Sequence, residues 1–597
     1  YNLGLLLFSV SGGKDLGGAI FHVIDQINHG IPQLIQPQMT RDIIELNFYS
    51  GSKAMDRSDY KTAQSYFSNS FLLLPKNHWS SHYEFSLRLY FLSSKVAYSC
   101  GNIEKAYILL KKILEKGCCL GDKLDAYHLY AKILHACEES DEAYTTCHEV
   151  LSQLNEKIPD SVDMRSTMAI VEETGVMLQR KSDAELFEMK EMDNVLLFTL
   201  KFYTLLICIA FWKKPMIMPH IGCRMIRISL EHGVSLDSVV GLVMYSGVYC
   251  QQSKLPNIRE ACRIGKVAMS MLKRFVNVSE AIPRVNFCYY GFTAVHFLPL
   301  QICSANLRKG FEVGMSAGDS ATDAFYNSMH LFRITLLSGE NLPALLEETD
   351  YHLEAMTRLR NKVSMPYLLA YRETFAMLID KGESTGAKQN YGELEENIES
   401  NAIYAQRHKE TLFVNRTLQS FWLGYTQRCH HYAKKLLEMQ LLGRHNKLVI
   451  LFYAALNAFR GVKNTNGNGS QFAKVRNLYK DAINALRTAK ELSPWNFSNK
   501  VFLLEAEMYS FERKGPDARS SYAAAITSSR SSRYVHEQGL ACELAGLHYK
   551  KLGKEQTALD FFQQAKECYV RWGSQMKVDS VSQQMERIVS ESLTTTK

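Results

Sequence analysis

Proline is scarce in this chain, 13 in 597 residues, and none of it lies in a Pro-rich stretch. Proline breaks helix interiors, so its scarcity suits long helices joined by short links. Strand-like alternation bounded by hairpin turns is also missing, which excludes a sheet-built fold. Neither sign of charge dominates: 69 basic residues face 61 acidic ones, a net of +8. No basic run is dense enough to form a nucleic-acid or membrane patch, and Lys111-Lys112 and Lys213-Lys214 read as solvated helix faces. The 14 cysteines include no Cys-x-x-Cys. They fall mostly within apolar helical patterns, as small core residues of a reducing compartment do, with the vicinal pair Cys118-Cys119 in an inter-helix turn. One apolar run, Val195 to Trp212, approaches membrane length. Lys201 interrupts it and Lys213-Lys214-Pro215 ends it, short of the ~20 apolar residues of a span, so a buried helix is expected there.

What is present is a foldable, core-forming composition, 46% apolar and 22% charged. At ~150 residues per globular domain the length would suggest about four domains, but a repeat solenoid grows by adding units and escapes that rule. The sequons at Asn277, Asn415, Asn468 and Asn496 carry no weight without a secretory signal. The chain opens at Tyr1 rather than Met and is expected to be a piece of a longer product.

Helix pairs recur along it. The segment Gly51 to Pro75 reads as a helix, a turn at Arg57–Asp59, and a second helix stopped by Pro75. Tyr60, Ala63, Phe67, Ser70, Phe71 and Leu74 share one face of the second helix. The next unit repeats this design, with Phe85, Leu89, Leu92 and Val96 before a turn at Gly101-Asn102. Ile103, Ala106, Tyr107, Leu110, Ile113 and Leu114 follow it. In the third, Leu124, Tyr127, Ala131 and Leu134 lead to a turn near Ser140. Ser140 is expected to cap the following helix, with Asp141 and Glu142 at its positive end. The small residues at 63, 106 and 143 are spaced somewhat wider than the ~34 residues of a tetratricopeptide (TPR) unit, which implies longer helices.

The grammar returns at Phe421–Tyr425 before a helix at Cys429–Met439. It appears again where Ala541, Leu544, Ala545, His548 and Leu552 precede a turn at Gly553, with Ala558, Phe561, Phe562, Ala565, Tyr569 and Trp572 beyond. Between them lies an amphipathic helix at Ile258–Phe275 and two loops, Gly382–Gln389 and Asn464–Ser470. The fold expected is all-α, a TPR-like α-solenoid, a right-handed superhelix of helix-turn-helix repeats. Stacked pairs complete each other's cores and leave a curved rod with a long concave face. Aromatic stripes at this spacing, interleaved with Ala and Ser, are core rather than base-stacking platforms.

Catalytic signatures do not appear. A phosphate loop needs Gly-x-x-x-x-Gly-Lys-Ser/Thr. Gly-Lys occurs at Gly13, Gly265 and Gly553, but the residues five earlier are Phe8, Glu260 and His548. The glycines at 12, 13, 17 and 18 read as a loop. No His-Arg-Asp or Asp-Phe-Gly marks a kinase core. His148-Glu149 and His536-Glu537 lack the second histidine of a zincin helix. His430-His431 beside Cys429 points to different helix faces and reads as surface or packing. No catalytic, cofactor or metal residue is assigned and no cofactor is expected, so the chain reads as non-enzymatic.

The repeats with their flanks resemble the helical region of STAND-class predicted ATPases, AAA-like proteins of multidomain, kinase-linked signalling. The resemblance is carried by Ile20–Asn28, Glu45-Leu46-Asn47, Gly51–Ala54 and Leu73–Trp79 near the start. Near the end it is carried by Ala541–Ala545, Ala565 to Tyr569 and Arg571-Trp572-Gly573. It implies a sensor or scaffold arm attached to a nucleotide switch whose ATPase core would precede residue 1, so ATP binding maps to no residue here. The organisation expected is 1–45 as the tail of a preceding helical domain, 46–185 as TPR-like repeats, 186–400 as irregular helical repeats, and 401–597 as C-terminal TPR-like repeats. The partner expected is a protein or peptide on the concave surface, or an ATPase or kinase domain in cis, with no nucleic acid and no membrane, in the cytoplasm. A stand-alone TPR adaptor and an enzyme on a helical scaffold are the alternatives.

Overall fold

The computed structural model of the chain describes residues 1–10, 19–31, 39–159, 161–192, 194–250, 255–276, 278–316, 321–381, 405–439, 443–463 and 469–595. The loop expected at Gly382–Gln389 and most of that at Asn464–Ser470 lie outside these residues. The first third holds helices α1 (Asn2–Val10), α2 (Ile20–Asn28), α3 (Thr40–Asp56), α4 (Tyr60–Leu73), α5 (His78–Ser81), α6 (Tyr83–Ser99), α7 (Ile103–Lys116), α8 (Leu120–Ala136), α9 (Ser140–Gln153), α10 (Met164–Gln179) and α11 (Asp183–Phe187). The middle holds α12 (Asn194–Lys213), α13 (Met218–His232), α14 (Leu236–Tyr249), α15 (Leu255–Met271), α16 (Ile282–Cys288), α17 (Leu300–Ser316), α18 (Ala321–Ser338), α19 (Leu342–Arg358) and α20 (Met365–Asp380). The last part holds α21 (Ala405–Trp422), α22 (Thr426–Leu437), α23 (Arg444–Lys463), α24 (Gly469–Leu492), α25 (Pro494–Phe511), α26 (Gly515–Ser531), α27 (Val535–Lys551), α28 (Glu555–Trp572) and α29 (Gln575–Thr595). Among the described residues the one strand-like feature is an isolated bridge between Glu191 and Val234. The chain is a TPR-like α-solenoid.

One turn geometry builds most pairs. The first helix ends, one residue takes positive φ, and the next residue precedes the second helix. Ser58 (φ 59), Gly101 (φ 78), Glu138 (φ 72), Gly424 (φ 80), Arg513 (φ 61), Arg533 (φ 61) and Gly553 (φ 68) all occupy this position. In each case the following amide bonds a carbonyl five residues back, as Asp59 N–H does to Ala54 O at 2.9 Å and Asn102 N–H to Ala97 O at 2.8 Å. This is the Schellman closure, which satisfies the last carbonyls of the first helix. Side chains then satisfy the next helix: Asp59 accepts from Thr62 N–H and Asn102 from Lys105 N–H, both at 3.1 Å. Ser140 departs from its expected role. Glu139 is the cap, and the Ser140 hydroxyl shares a hydrogen bond with His135 Nδ1 at 2.8 Å.

The small residues do what close approach requires. Ala63, Ala106 and Ala143 are fully buried. A Cβ on Gly51 would come within 2.5 Å of the Phe67 ring, so only glycine lets α3 lie against α4 there. The apolar run at Val195–Trp212 forms α12, whose Leu200, Phe202, Tyr203, Leu206 and Ile209 are buried in the core. Among the described residues no helix is long and apolar enough to cross a membrane. Irregularity in the middle is concentrated after the short α16, where Tyr289–Thr293 is a π-turn. Gly291 sits there against the His330 ring, 2.7 Å from where a Cβ would be.

The first helices of successive pairs touch each other as well as their own partners, so α6, α8, α12, α14, α16, α18 and α20 form a continuous ladder. The helices α21, α23, α25 and α27 continue it. In a simple solenoid each repeat meets only its neighbours. Here successive superhelical turns also meet. Ser58 Oγ and Tyr60 Oη donate to Ser316 O at 2.6 and 2.9 Å, and Arg360 pairs with Glu104 at 2.6 Å. Further along, Gln301 Nε2 reaches Ser532 O at 3.2 Å and Asn341 Nδ2 reaches Arg571 O at 3.1 Å. The expected open rod is therefore wound upon itself, and its inner ladder encloses a lumen.

Candidate functional site

Polar residues on the first helix of each pair face this lumen. In the C-terminal part they close it with paired charges. Lys500 Nζ lies 2.8 Å from Glu537, Lys577 Nζ 2.7 Å from Glu543, and Arg416 Nη1 2.8 Å from Glu373, all of them buried. Glu537 also accepts from Asn499, and Tyr569 donates to Glu543 at 2.6 Å. Burial alone would push the Glu543 carboxyl up, but the Lys577 ammonium and the Tyr569 hydroxyl hold it below the usual range. His536-Glu537 belongs to this packing. His430 and His431 are both exposed while Cys429 is buried, so that triplet does not converge.

Nearer the N-terminus the same wall leaves a cavity of about 190 Å³. Its lining comes from α6, α8, α12, α14, α16 and α18, together with the short turn before α16. Three cations there have partners. Lys95 lies 3.5 Å from Glu280, Lys201 Nζ is 2.8 Å from Asp125 Oδ1, and Arg284 grips Asp323 through Nη2 at 2.8 Å and Nε at 3.3 Å. Burial works against the Arg284 charge, but Asp323, Cys208 and Asp237 outweigh it and raise its affinity for the proton. A fourth cation, Lys132, is 6% exposed and makes no hydrogen bond or ion pair with a described residue. One turn earlier on α8, His128 presents its ring edge-on to Phe202 at 5.6 Å, and its Nε2 is buried without a partner. Burial, reinforced by Lys201, Lys132, Arg284 and Lys95, keeps that imidazole neutral. Burial also pushes the Asp237 carboxyl upward, only partly opposed by Thr204, Arg284 and Lys201.

A second pocket, about 150 Å³, opens on the inner wall of the last repeats. Phe421, Leu456, Leu544 and Leu547 form its apolar floor, with Arg460 and Lys551 among the residues around it. Arg460 is braced, donating to Phe421 O at 2.7 Å and lying 4.6 Å over the Phe421 ring.

Neither pocket pairs a nucleophile with a base. Among the described residues no group of three or more His, Cys, Asp or Glu is placed to hold a metal ion. Burial pushes the Cys429 and Cys542 thiols up to about 12, which suppresses the thiolate that a nucleophile requires.

No family model matches the chain, and no curated protein does. Among solved structures, the crystal structure of the yeast Tom70 aligns with 93% of this chain and 97% of that chain at 11% identity and a TM-score of 0.19. A superposition that loose supports nothing further about this chain.

Sequence reasoning singled out none of the cavity's residues as a site. Lys201 was visible only as the break in an apolar run. The available signal was His128 and Lys132, one turn apart on a helix whose other positions 124, 131 and 134 are apolar.

Proposed function

We propose that the chain is a non-catalytic helical-repeat scaffold that holds a protein partner against its inner wall. The observation that carries this reading is the pocket between α21, α23, α25 and α27. It has an apolar floor for one side chain of a partner, and its cations Arg460 and Lys551 outnumber its one carboxylate, Glu507, which accepts from Tyr522, so acidic neighbours are favoured. A peptide with a large apolar residue flanked by Asp or Glu fits that chemistry. Selection from a displayed random peptide library tests it. The expected result is enrichment of that motif, with binding lost on Leu547→Asp and weakened on Lys551→Glu. The second change is at an exposed position and spares the fold. Absence of any enriched motif, or binding indifferent to both changes, overturns the reading.

The finer proposal is that this scaffold is the regulatory arm of a STAND-type ATPase in intracellular signalling, its inner wall biasing one state of the switch. The resemblance of the segments near both ends supports it. So does α1, whose Leu3 and Leu6 are 57% and 59% exposed. An uncovered apolar stripe on a terminal helix of a solenoid calls for a covering unit, and a preceding helical domain of the same polypeptide would supply one. Sequencing the transcript upstream of Tyr1 decides it. An in-frame phosphate-loop ATPase supports the arm, and a nearby start codon without one leaves the stand-alone adaptor.

A further inference from the structure

We infer that the N-terminal luminal cavity is a binding site for a small free oxyanion of phosphate type. Two independent observations point to a missing ligand. Lys132 is more than nine-tenths buried and lacks a counter-ion, whereas the other three cations of the cavity each have a carboxylate within 3.5 Å. His128 Nε2, from the same face of the same helix, is buried and unbonded. Buried charges in folded proteins are paired and buried polar atoms are hydrogen-bonded. Two adjacent exceptions lining one polar cavity mark a place where a partner belongs.

The chemistry of that partner follows from the donors. Lys132 supplies an ammonium with three protons. A neutral His128 in the Nε2–H tautomer supplies one more. Burial in the same lining pushes the Asp237 carboxyl upward, toward the form that repels an anion least. Lys132 and His128 would both donate, which suits a tetrahedral oxyanion with several acceptor oxygens. Asp125, Glu280 and Asp323 each pair with another cation, and Asp237 makes no ion pair with Lys132, which leaves Lys132 as the cation of the lining without an ion-pair partner. A cavity of about 190 Å³ lined by six helices of the ladder admits a small ion and not a length of peptide. The occupant would join α8 of the first turn to α14 and α16 beyond it, so binding should tighten the lumen as a whole.

This site is separate from the peptide pocket of the last repeats, and its failure would leave the scaffold reading untouched. The test uses the whole chain with inorganic phosphate as probe. Thermal unfolding is followed in phosphate and in chloride at matched ionic strength and pH, and binding is measured by calorimetry. The expected result is a phosphate-dependent rise in Tm with saturable binding, weakened roughly tenfold or more by Lys132→Gln and also weakened by His128→Phe. A Lys132→Arg variant, which keeps the charge, should retain much of the binding. That shows the loss is not a folding defect. Three results would overturn the inference: no rise beyond that in chloride, a rise of equal size in the Lys132→Gln protein, or displacement of phosphate only by acidic peptides.

Discussion

The buried pair Lys500–Glu537 gives the sharpest test of how the lumen is closed. Both side chains are nearly inaccessible, at 5% and 2%, and their charged atoms are 2.8 Å apart. Lys500 also donates to Asn496 O at 3.0 Å and lies 4.5 Å over the Tyr534 ring. Changing Glu537 to Gln keeps the shape and most of the hydrogen bonding but leaves the ammonium uncompensated in a dry interior. Breaking one partner of such a pair costs about 3–5 kcal/mol, whereas replacing both by apolar residues of similar size is often neutral or stabilising. With a urea m-value of about 2 kcal/mol/M for the cooperative unit, Glu537→Gln should move the midpoint down by about 1.5–2.5 M. Lys500→Met with Glu537→Leu should recover most of it. Trp422 and Trp572 report the event locally, since their rings lie 5.8 and 5.4 Å from His536 beside the pair. Local reporting matters because a repeat array need not unfold in one step. A Glu537→Gln protein as stable as the wild type, or a double variant no better than the single one, would refute the argument that this contact is desolvated and that it locks neighbouring repeats together.

Acid should unfold the chain through its histidines. Burial lowers His296 and His352 to about 3 and His408 to about 4. Below pH 6.5 the unfolded chain therefore takes up protons that the folded chain refuses, and stability falls as pH drops toward those values. The slope is up to ~1.4 kcal/mol per pH unit for each histidine, and His352→Gln should make the measured pH dependence of unfolding shallower. Gly233 has φ 110 and a Cβ there would meet Lys190 O at 2.6 Å, so Gly233→Ala should cost about 2 kcal/mol or more in a denaturant titration. Glu138, at φ 72 in a turn position that other pairs give to glycine, should gain up to about 1 kcal/mol on change to Gly. Native alkylation followed by mass spectrometry should modify Cys118 and Cys119 first and leave the buried cysteines for the denatured chain, since only those two are exposed.

The repeat turns were legible where glycine stands at the positive-φ position, as at Gly101 and Gly553. They were less so where Arg513 or Arg533 holds the same geometry, because propensity gives no reason to expect a long charged residue there. Small residues at close approaches, Ala63 and Ala106 among them, were legible because helical spacing alone puts them on the packed face. The π-turn at Tyr289–Thr293 was not, since it answers to the His330 ring that reaches it from another helix. The site was hidden for a related reason. Helical spacing does not distinguish polar positions that face solvent from those that pack against the next repeat. Packing of each repeat on the next buries Lys500, Glu537 and Glu543, and a pairing between side chains 34 or 37 residues apart leaves no local mark in a sequence.

That contact also bears on why these charges are on the inner wall at all. A buried ion pair adds little net stability over apolar packing, but an unmatched charge in the same place is costly. Sliding one repeat against the next by a single helical position would separate Lys500 from Glu537, Lys577 from Glu543 or Arg416 from Glu373. Leucines at those positions would tolerate several registers, as interchangeable apolar contacts do. The pairs therefore penalise wrong windings far more than they reward the right one. In the N-terminal cavity Lys132 has no such partner, although Lys95–Glu280, Lys201–Asp125 and Arg284–Asp323 tie the surrounding helices. An oxyanion bound there would supply the missing constraint, so the separation between the first turn and the middle helices should narrow in phosphate. Distances between a spin label on exposed Cys118, with Cys119 changed to Ser, and one on a cysteine introduced at exposed Glu347 would measure it.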